Sequence, residues 1–234
     1  NRGVTTRTRR SARGTRNLAK SNRHLLGSTA SVKAKLEEKE LLLDLKSRGM
    51  SEDPKLAIAD GALGFWKALP QVFPTTRMQR CWVHKTANVL DKLPKAVQPR
   101  AKTLLHDIYL ADTEAAAVRA FNHFCESYRD KYPRAVECLE RDREVLLTFY
   151  TFPAAHWKHI RSTNVIESVF ATVRLRTYKT KGMGTSATTI AMAFKLIKEA
   201  EKGWHKITRW QQLELVREGR VFKDGVLVSK EPAA

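Results

Sequence analysis

The chain has 234 residues, of which 42% are hydrophobic, and its 43 Lys and Arg against 24 Asp and Glu leave a formal net charge of +19. That length holds one substantial core with room for an inserted subdomain, and so basic a balance points to a polyanionic partner, most simply nucleic acid. No apolar run approaches membrane-spanning length and no signal-peptide core opens the chain, so no membrane partner is expected; Cys81, Cys125 and Cys138 make no disulfide framework, and a reducing cytosol is the expected compartment.

Residues 1–36 hold ten Lys or Arg and no Asp or Glu, with few apolar positions and no period. Residues 1–35 therefore read as a disordered basic leader, either an arm for DNA phosphates or a non-native stretch that happens to be basic. The chain begins with Asn rather than Met and reads as a fragment. Leu36, Leu41, Leu42 and Leu45 fit one face of a helix that Gly49 stops. A short apolar strand follows over residues 55–59, then a helix over 61–69 that closes before Pro74, then a second strand over 75–83. Helix, strand, helix, strand marks an α/β layer. From His84 to about Phe152 the pattern is helical alone: Asp112-Thr113-Glu114 opens one helix carrying Ala117, Phe121, Phe124 and Tyr128, and Pro133 starts another with Val136, Leu139, Val145 and Leu146. A helix beginning near Glu167 follows, then one over about 186–205 carrying Ile190, Phe194, Ile197 and Trp204, and the tail over 221–228 suggests a hairpin with an Asp-Gly turn.

Two carboxylates stand out for chemistry. Asp60 ends the run Leu56-Ala57-Ile58-Ala59 and precedes Gly61, which puts it at a strand end, where ligands usually bind. Glu167 lies at the head of a helix in Ser162-Thr163-Asn164-Val165-Ile166-Glu167-Ser168. In so basic a protein the pair suggests metal-assisted phosphodiester chemistry. Each has a plainer reading: Asp60-Gly61 as a turn, and Asn164-x-x-Glu167 as a capping box. Arg161, Arg174, Arg176, Lys179 and Lys181 form a basic run that suits phosphates. Cys81-x-x-His84 has half the spacing of a zinc site, which His156-x-x-His159 could complete, although a packed, hydrogen-bonded pair is the simpler expectation. Cys125 and Cys138 read as small buried hydrophobes, and Trp157 as a packing residue or a platform for an unpaired base. No Ser or Tyr sits where it would be activated as a nucleophile.

Ile58-Ala59-Asp60-Gly61-Ala62-Leu63-Gly64-Phe65-Trp66, Arg80-Cys81-Trp82-Val83-His84-Lys85-Thr86-Ala87-Asn88-Val89-Leu90 and Asn164-Val165-Ile166-Glu167-Ser168, in that order, closely resemble the Mutator-type bacterial insertion-sequence transposases. The resemblance runs from about Leu41 to Val228. It implies an RNase H-like catalytic core with an inserted all-α subdomain: residues 36–90 and 161–206 as the two parts of the core, 91–160 as the insertion and 207–234 as the tail. It further implies a DDE mechanism with two Mg²⁺ or Mn²⁺ ions, Asp60 as the second catalytic Asp, Glu167 as the catalytic Glu, and Cys81 and His84 close to them. The implied partners are transposon terminal repeats and target DNA, with a homo-oligomer assembled on DNA in the cytoplasm at the nucleoid.

Two features depart from the family pattern. The family's first catalytic Asp lies on a strand meander upstream of the first helix, where this chain has only its basic, strand-poor leader; Asp44 is mid-helix and Asp53 precedes a proline. Val165 stands where the family usually has Pro. The expectation is a truncated or frame-shifted transposase whose core lacks its N-terminal strands and whose strand transfer is lost with the missing Asp. A non-catalytic DNA-binding regulator derived from a transposase, and a generic basic nucleic-acid-binding protein, are the alternatives.

Overall fold

A computed structural model describes residues 37–179 and 185–228. The leader over 1–35 and Lys181 lie outside the described residues. The protein is mixed α/β and mostly helical, and it divides into two compact units. No helix among the described residues is long and apolar enough to cross a membrane.

The first unit takes in described residues 37–53 and 62–75. Helix α1, residues 37–47, stops at Gly49, whose φ of +111° only glycine adopts comfortably. Its inner face is narrower than the leucine pattern suggests, because Leu42 is buried and Leu45 half-buried while Leu41 is exposed. Leu41 and Leu42 are successive residues, about 100° apart on the helix, so one of them must face away. Helix α2, Leu63–Val72, runs on through Pro70, beyond the expected end, and buries Ala68, Leu69 and Val72. Lys46 donates to the Val72 carbonyl and lies over the Phe73 ring, and Asp53 Oδ2 accepts from the Thr75 amide and hydroxyl.

The second unit holds residues 54–61 and everything from Thr76 onward. Strands β1, Leu56–Ala59, and β2, Arg77–Arg80, pair in parallel, Leu56 opposite Arg77 and Ala59 opposite Arg80. The second strand is shorter than its sequence suggests. The Cys81 amide still donates to the Ala59 carbonyl, but helix α3, Trp82–Leu90, begins at the next residue. Trp82 is 1% exposed and its indole N–H donates to the Leu146 carbonyl, so the ring that reads as a strand residue is a core anchor.

Helices α4 (Gln98–Tyr109), α5 (Glu114–Tyr128), α6 (Pro133–Glu140), α7 (Arg143–Leu147) and α8 (Trp157–Ile160), with two short 3₁₀ turns over Thr148–Thr151 and Ala154–His156, fill the span to residue 160. Thr113 caps α5 by accepting from the Ala116 amide, and Ala117, Phe121, Phe124 and Tyr128 are buried, as their spacing requires. They pack with Trp82, Leu105, Leu139, Phe149 and Tyr150 into one apolar core. Trp157 joins it, with edge-on contacts to Phe149 and Tyr150 and its N–H on the Phe152 carbonyl. Helices α9 (Asn164–Lys179) and α10 (Ser186–Glu201) bury no residue among those described, and Val165, Ile166, Phe170, Leu175, Ile190 and Phe194 are exposed. Helix α11, Gln212–Arg217, precedes the hairpin of β3 (Phe222–Lys223) and β4 (Val226–Leu227). Asp224 and Gly225 turn it with φ of 49° and 77°, the double left-handed turn that Asp-Gly favours. A side chain at Gly225 would collide with Ala154, which donates its amide to the Gly225 carbonyl.

Charge also crosses this interior. Lys85 is 0% exposed; its ammonium pairs with the Asp142 carboxylate and donates, at 2.8 Å, to the Cys138 carbonyl. Arg80 Nε lies 3.3 Å from Asp142 Oδ2. Removing one partner of a buried pair strands the other charge, which costs about 3–5 kcal/mol, whereas replacing a whole pair by apolar groups is far milder. Asp142→Ala, which strands two cations, is therefore expected to lower unfolding stability by about 3–5 kcal/mol, and Asp142→Leu combined with Lys85→Met, which leaves only Arg80 and that on the Asp60 carbonyl, by less. Urea denaturation of the three proteins checks the order.

Candidate functional site

The two strands end side by side, and the chemistry-bearing residues gather there. Asp60 follows directly on β1, with its side chain exposed to solvent. Its carbonyl accepts from Arg80 Nη1. Gly61 lets that guanidinium approach, since a Cβ there would lie 2.8 Å from Arg80 Nη2. At the end of β2, Cys81 precedes α3 and His84 falls in its first turn, so the i, i+3 spacing puts both side chains on one face. Cys81 Sγ lies 3.3 Å from His84 Nδ1.

Glu167 comes to the same place from far along the chain. The Trp82 amide donates to the Arg161 carbonyl, which ties the residues before α9 to the start of α3. Thr163 then makes the junction. Its amide and its hydroxyl each reach Cys81 Sγ at 3.3 Å, and the hydroxyl also donates to Glu167 Oε1. The Thr163 carbonyl accepts from the Ile166 and Glu167 amides, so the helix is capped one residue earlier than the Asn164 reading has it. The Glu167 carboxylate lies 3.7 Å from His84 Nδ1, and the donor atoms of Cys81, His84 and Glu167 all lie within 4.8 Å of one another.

Electrostatics follow from this crowding. Hydrogen bonding to Cys81 raises the His84 pKa above its usual 6.5 against the opposing effect of partial burial, and the charges of Cys81, Glu167 and Asp60 push it the same way. Burial pushes the Cys81 thiol up, but hydrogen bonds from His84 and Thr163 outweigh it and leave the thiol below its usual range. Asp60 and Glu167 thus act on one imidazole although they are far apart in sequence. Cys125, by contrast, is pushed up to about 11, first by burial and then by Glu140, and behaves as the buried hydrophobe its helix position suggests.

The remaining candidates divide. His156 Nε2 lies against the Arg209 carbonyl and His159 Nε2 against the Thr208 hydroxyl. Among the described residues, the group with metal-type donors converging is Cys81, His84 and Glu167, without that histidine pair. Arg161 is half-buried, donates to the Tyr109 carbonyl at 2.5 Å and lies over its ring. Its guanidinium is occupied in packing, a role its place in a basic run does not disclose. Arg174, Arg176 and Lys179 lie exposed along α9. Sequence reasoning passed over Thr163; the available signal was a cap-type residue immediately before a helix.

His84, raised above 6.5, contributes stability that is fully present below that value and is lost as pH climbs through its raised pKa. The proton NMR titration of its ring is expected to midpoint above the usual histidine value, and to fall back toward it in Cys81→Ala. The stability gap between the natural protein and His84→Ala should be wider at about pH 5.5 than at about pH 9.

Residues 19–207 match the family model described as Transposase, Mutator family. The chain is 49% identical over 187 residues to the transposase for insertion sequence element IST2 of Acidithiobacillus ferrooxidans, covering 80% of this chain and 63% of that protein. It is 50% identical over 191 residues to the transposase for insertion sequence element IS6120 of Mycolicibacterium smegmatis, covering 82% and 59%. The transposase for IS1081 of Mycobacterium tuberculosis is 30% identical over 190 residues, covering 81% and 45%. The chain spans about three fifths of the length of the first two of these relatives.

Proposed function

The chain belongs to the Mutator family of transposases, and we propose that Asp60 and Glu167 are two of the carboxylates of a metal-dependent DNA-cutting centre built on an RNase H-like core. One observation carries the reading: Glu167, distant in sequence, lies 3.7 Å from His84 Nδ1 just past the end of β2, and that end pairs with the end of β1 that leads into Asp60. The donor chemistry fits, since two carboxylates offer the hard oxygens that Mg²⁺ or Mn²⁺ takes. Bound there, such ions supply activation of a water or a DNA 3′-hydroxyl and stabilisation of the departing oxygen. The chain's own residues do the positioning. Arg80 fixes the backbone that bears Asp60, Thr163 orients Glu167, and His84 faces the Glu167 carboxylate. Arg174, Arg176 and Lys179, exposed on the helix that begins beside Glu167, grip DNA phosphates.

Two carboxylates are fewer than a two-ion centre requires, so these 234 residues bind transposon ends without joining them to target DNA. The +19 charge favours a second reading beside this one, a DNA-binding regulator that occupies the same terminal repeats.

The test presents the purified protein and its Asp60→Ala and Glu167→Ala variants with a terminal-repeat duplex and Mg²⁺ or Mn²⁺. Binding that prefers the repeat and weakens steeply with salt is expected in all three, with no cleavage. Robust cleavage by the natural chain, lost in both variants, would mean that a third ligand is present in it. Binding indifferent to the repeat would leave a generic nucleic-acid protein.

A further inference from the structure

A thiol beside a carboxylate is out of place in a centre meant for hard cations. Mg²⁺ is held by oxygen alone, and an oxygen-only site has no use for Cys81. Yet Cys81 is 0% exposed and its sulfur faces His84 Nδ1 at 3.3 Å, while the same nitrogen faces Glu167 Oε1 at 3.7 Å. Around one tetrahedral ion with metal–sulfur bonds of ~2.3 Å and metal–nitrogen or metal–oxygen bonds of ~2.0–2.2 Å, neighbouring ligand atoms sit about 3.4–3.6 Å apart. Two edges of such a tetrahedron are therefore near their bonded length before any ion arrives, and the third lies within 4.8 Å.

We propose that Cys81, His84 and Glu167 form a site for a borderline-soft divalent ion, zinc above all, which takes Glu167 away from its partnership with Asp60. Thiolate, imidazole and carboxylate together are a donor set that zinc and cobalt accept and magnesium does not. The supporting layer is in place, because the Thr163 amide points at the sulfur while its hydroxyl donates to the carboxylate. The side chains of His84 and Glu167 are 37% and 47% exposed, so an ion enters from their side and keeps a water as its fourth ligand. The site stands on geometry alone. Its consequence, that zinc keeps a hard cation from the carboxylate pair, rests on the reading of Asp60 and Glu167 given above.

The experiment titrates the reduced, metal-free protein with Co²⁺ and follows the thiolate-to-cobalt charge-transfer absorption. One equivalent is expected to bind with that band and with the visible bands of a tetrahedral ion. Cys81→Ser should abolish the charge-transfer band and Cys125→Ser should leave it. His84→Ala, at a part-exposed position that spares the core, should weaken Co²⁺ binding by more than the roughly 10–100-fold that loss of a supporting hydrogen bond costs. No thiolate band in the natural protein, or a band that survives Cys81→Ser, would overturn the proposal. A parallel Mn²⁺ titration, read by electron paramagnetic resonance, separates the two readings. Zn²⁺ should displace Mn²⁺ from the natural protein but not from Cys81→Ser, and Asp60→Ala should weaken Mn²⁺ while sparing the cobalt band. Intact Mn²⁺ binding without the cobalt band sinks the zinc site alone. An intact cobalt band with Mn²⁺ binding indifferent to Asp60 sinks the carboxylate pair alone.

Discussion

The Asp142 carboxylate, set between α6 and α7, holds the second unit in register. Two cations from different elements meet it, Lys85 from α3 and Arg80 from the end of β2. Water would ordinarily solvate all three, and their burial is tolerable because each is ion-paired and the two cations also donate to carbonyls, Lys85 to Cys138 and Arg80 to Asp60. That requirement fixes the first turn of α3 and the last residue of β2 against the helical layer. Arg80 transmits the constraint one step further, since the same guanidinium holds the Asp60 carbonyl. Gln79 reinforces it without charge, giving its amide to the Leu146 carbonyl and accepting from the Phe149 amide.

Given that frame, the cluster at the strand ends follows from short-range geometry. A parallel pair brings both C-terminal ends to one edge. β2 passes into α3 with no loop between, so Cys81 and His84 cannot stray from the edge that bears Asp60. Glu167 needs more, because a long helical segment intervenes. Its return is secured by main-chain and thiol contacts, Trp82 to Arg161 and Thr163 to Cys81, rather than by any attraction between carboxylates, which repel. This division of labour suits a cation site: neutral contacts carry the cost of assembly and leave the carboxylates to one another.

Much of this was legible in the sequence where local rules decide. Helical spacing picked out the buried face of α5, Pro133 the start of α6, and Asp224-Gly225 the hairpin turn. The motif order drew attention to Asp60, Cys81, His84 and Glu167 together. What escaped depends on partners remote in sequence. Arg161 reads as a cation for phosphates until Tyr109 is seen beside it, and nothing local marks Lys85 as the buried partner of Asp142. Trp82 reads as strand because a β-favouring aromatic says nothing of the Leu146 carbonyl waiting for its N–H. The period of α10 is real, yet Ile190 and Phe194 are exposed, because a period says which face is apolar and not what covers it.

The central claim is that one cation can be shared by carboxylates that the chain separates so widely. Anomalous diffraction from crystals grown with Mn²⁺ tests it most directly. The account predicts a manganese peak within coordination distance, about 2.0–2.3 Å, of an oxygen of Asp60 and an oxygen of Glu167. A peak bound to one of them alone, or manganese only elsewhere on the protein, would contradict it.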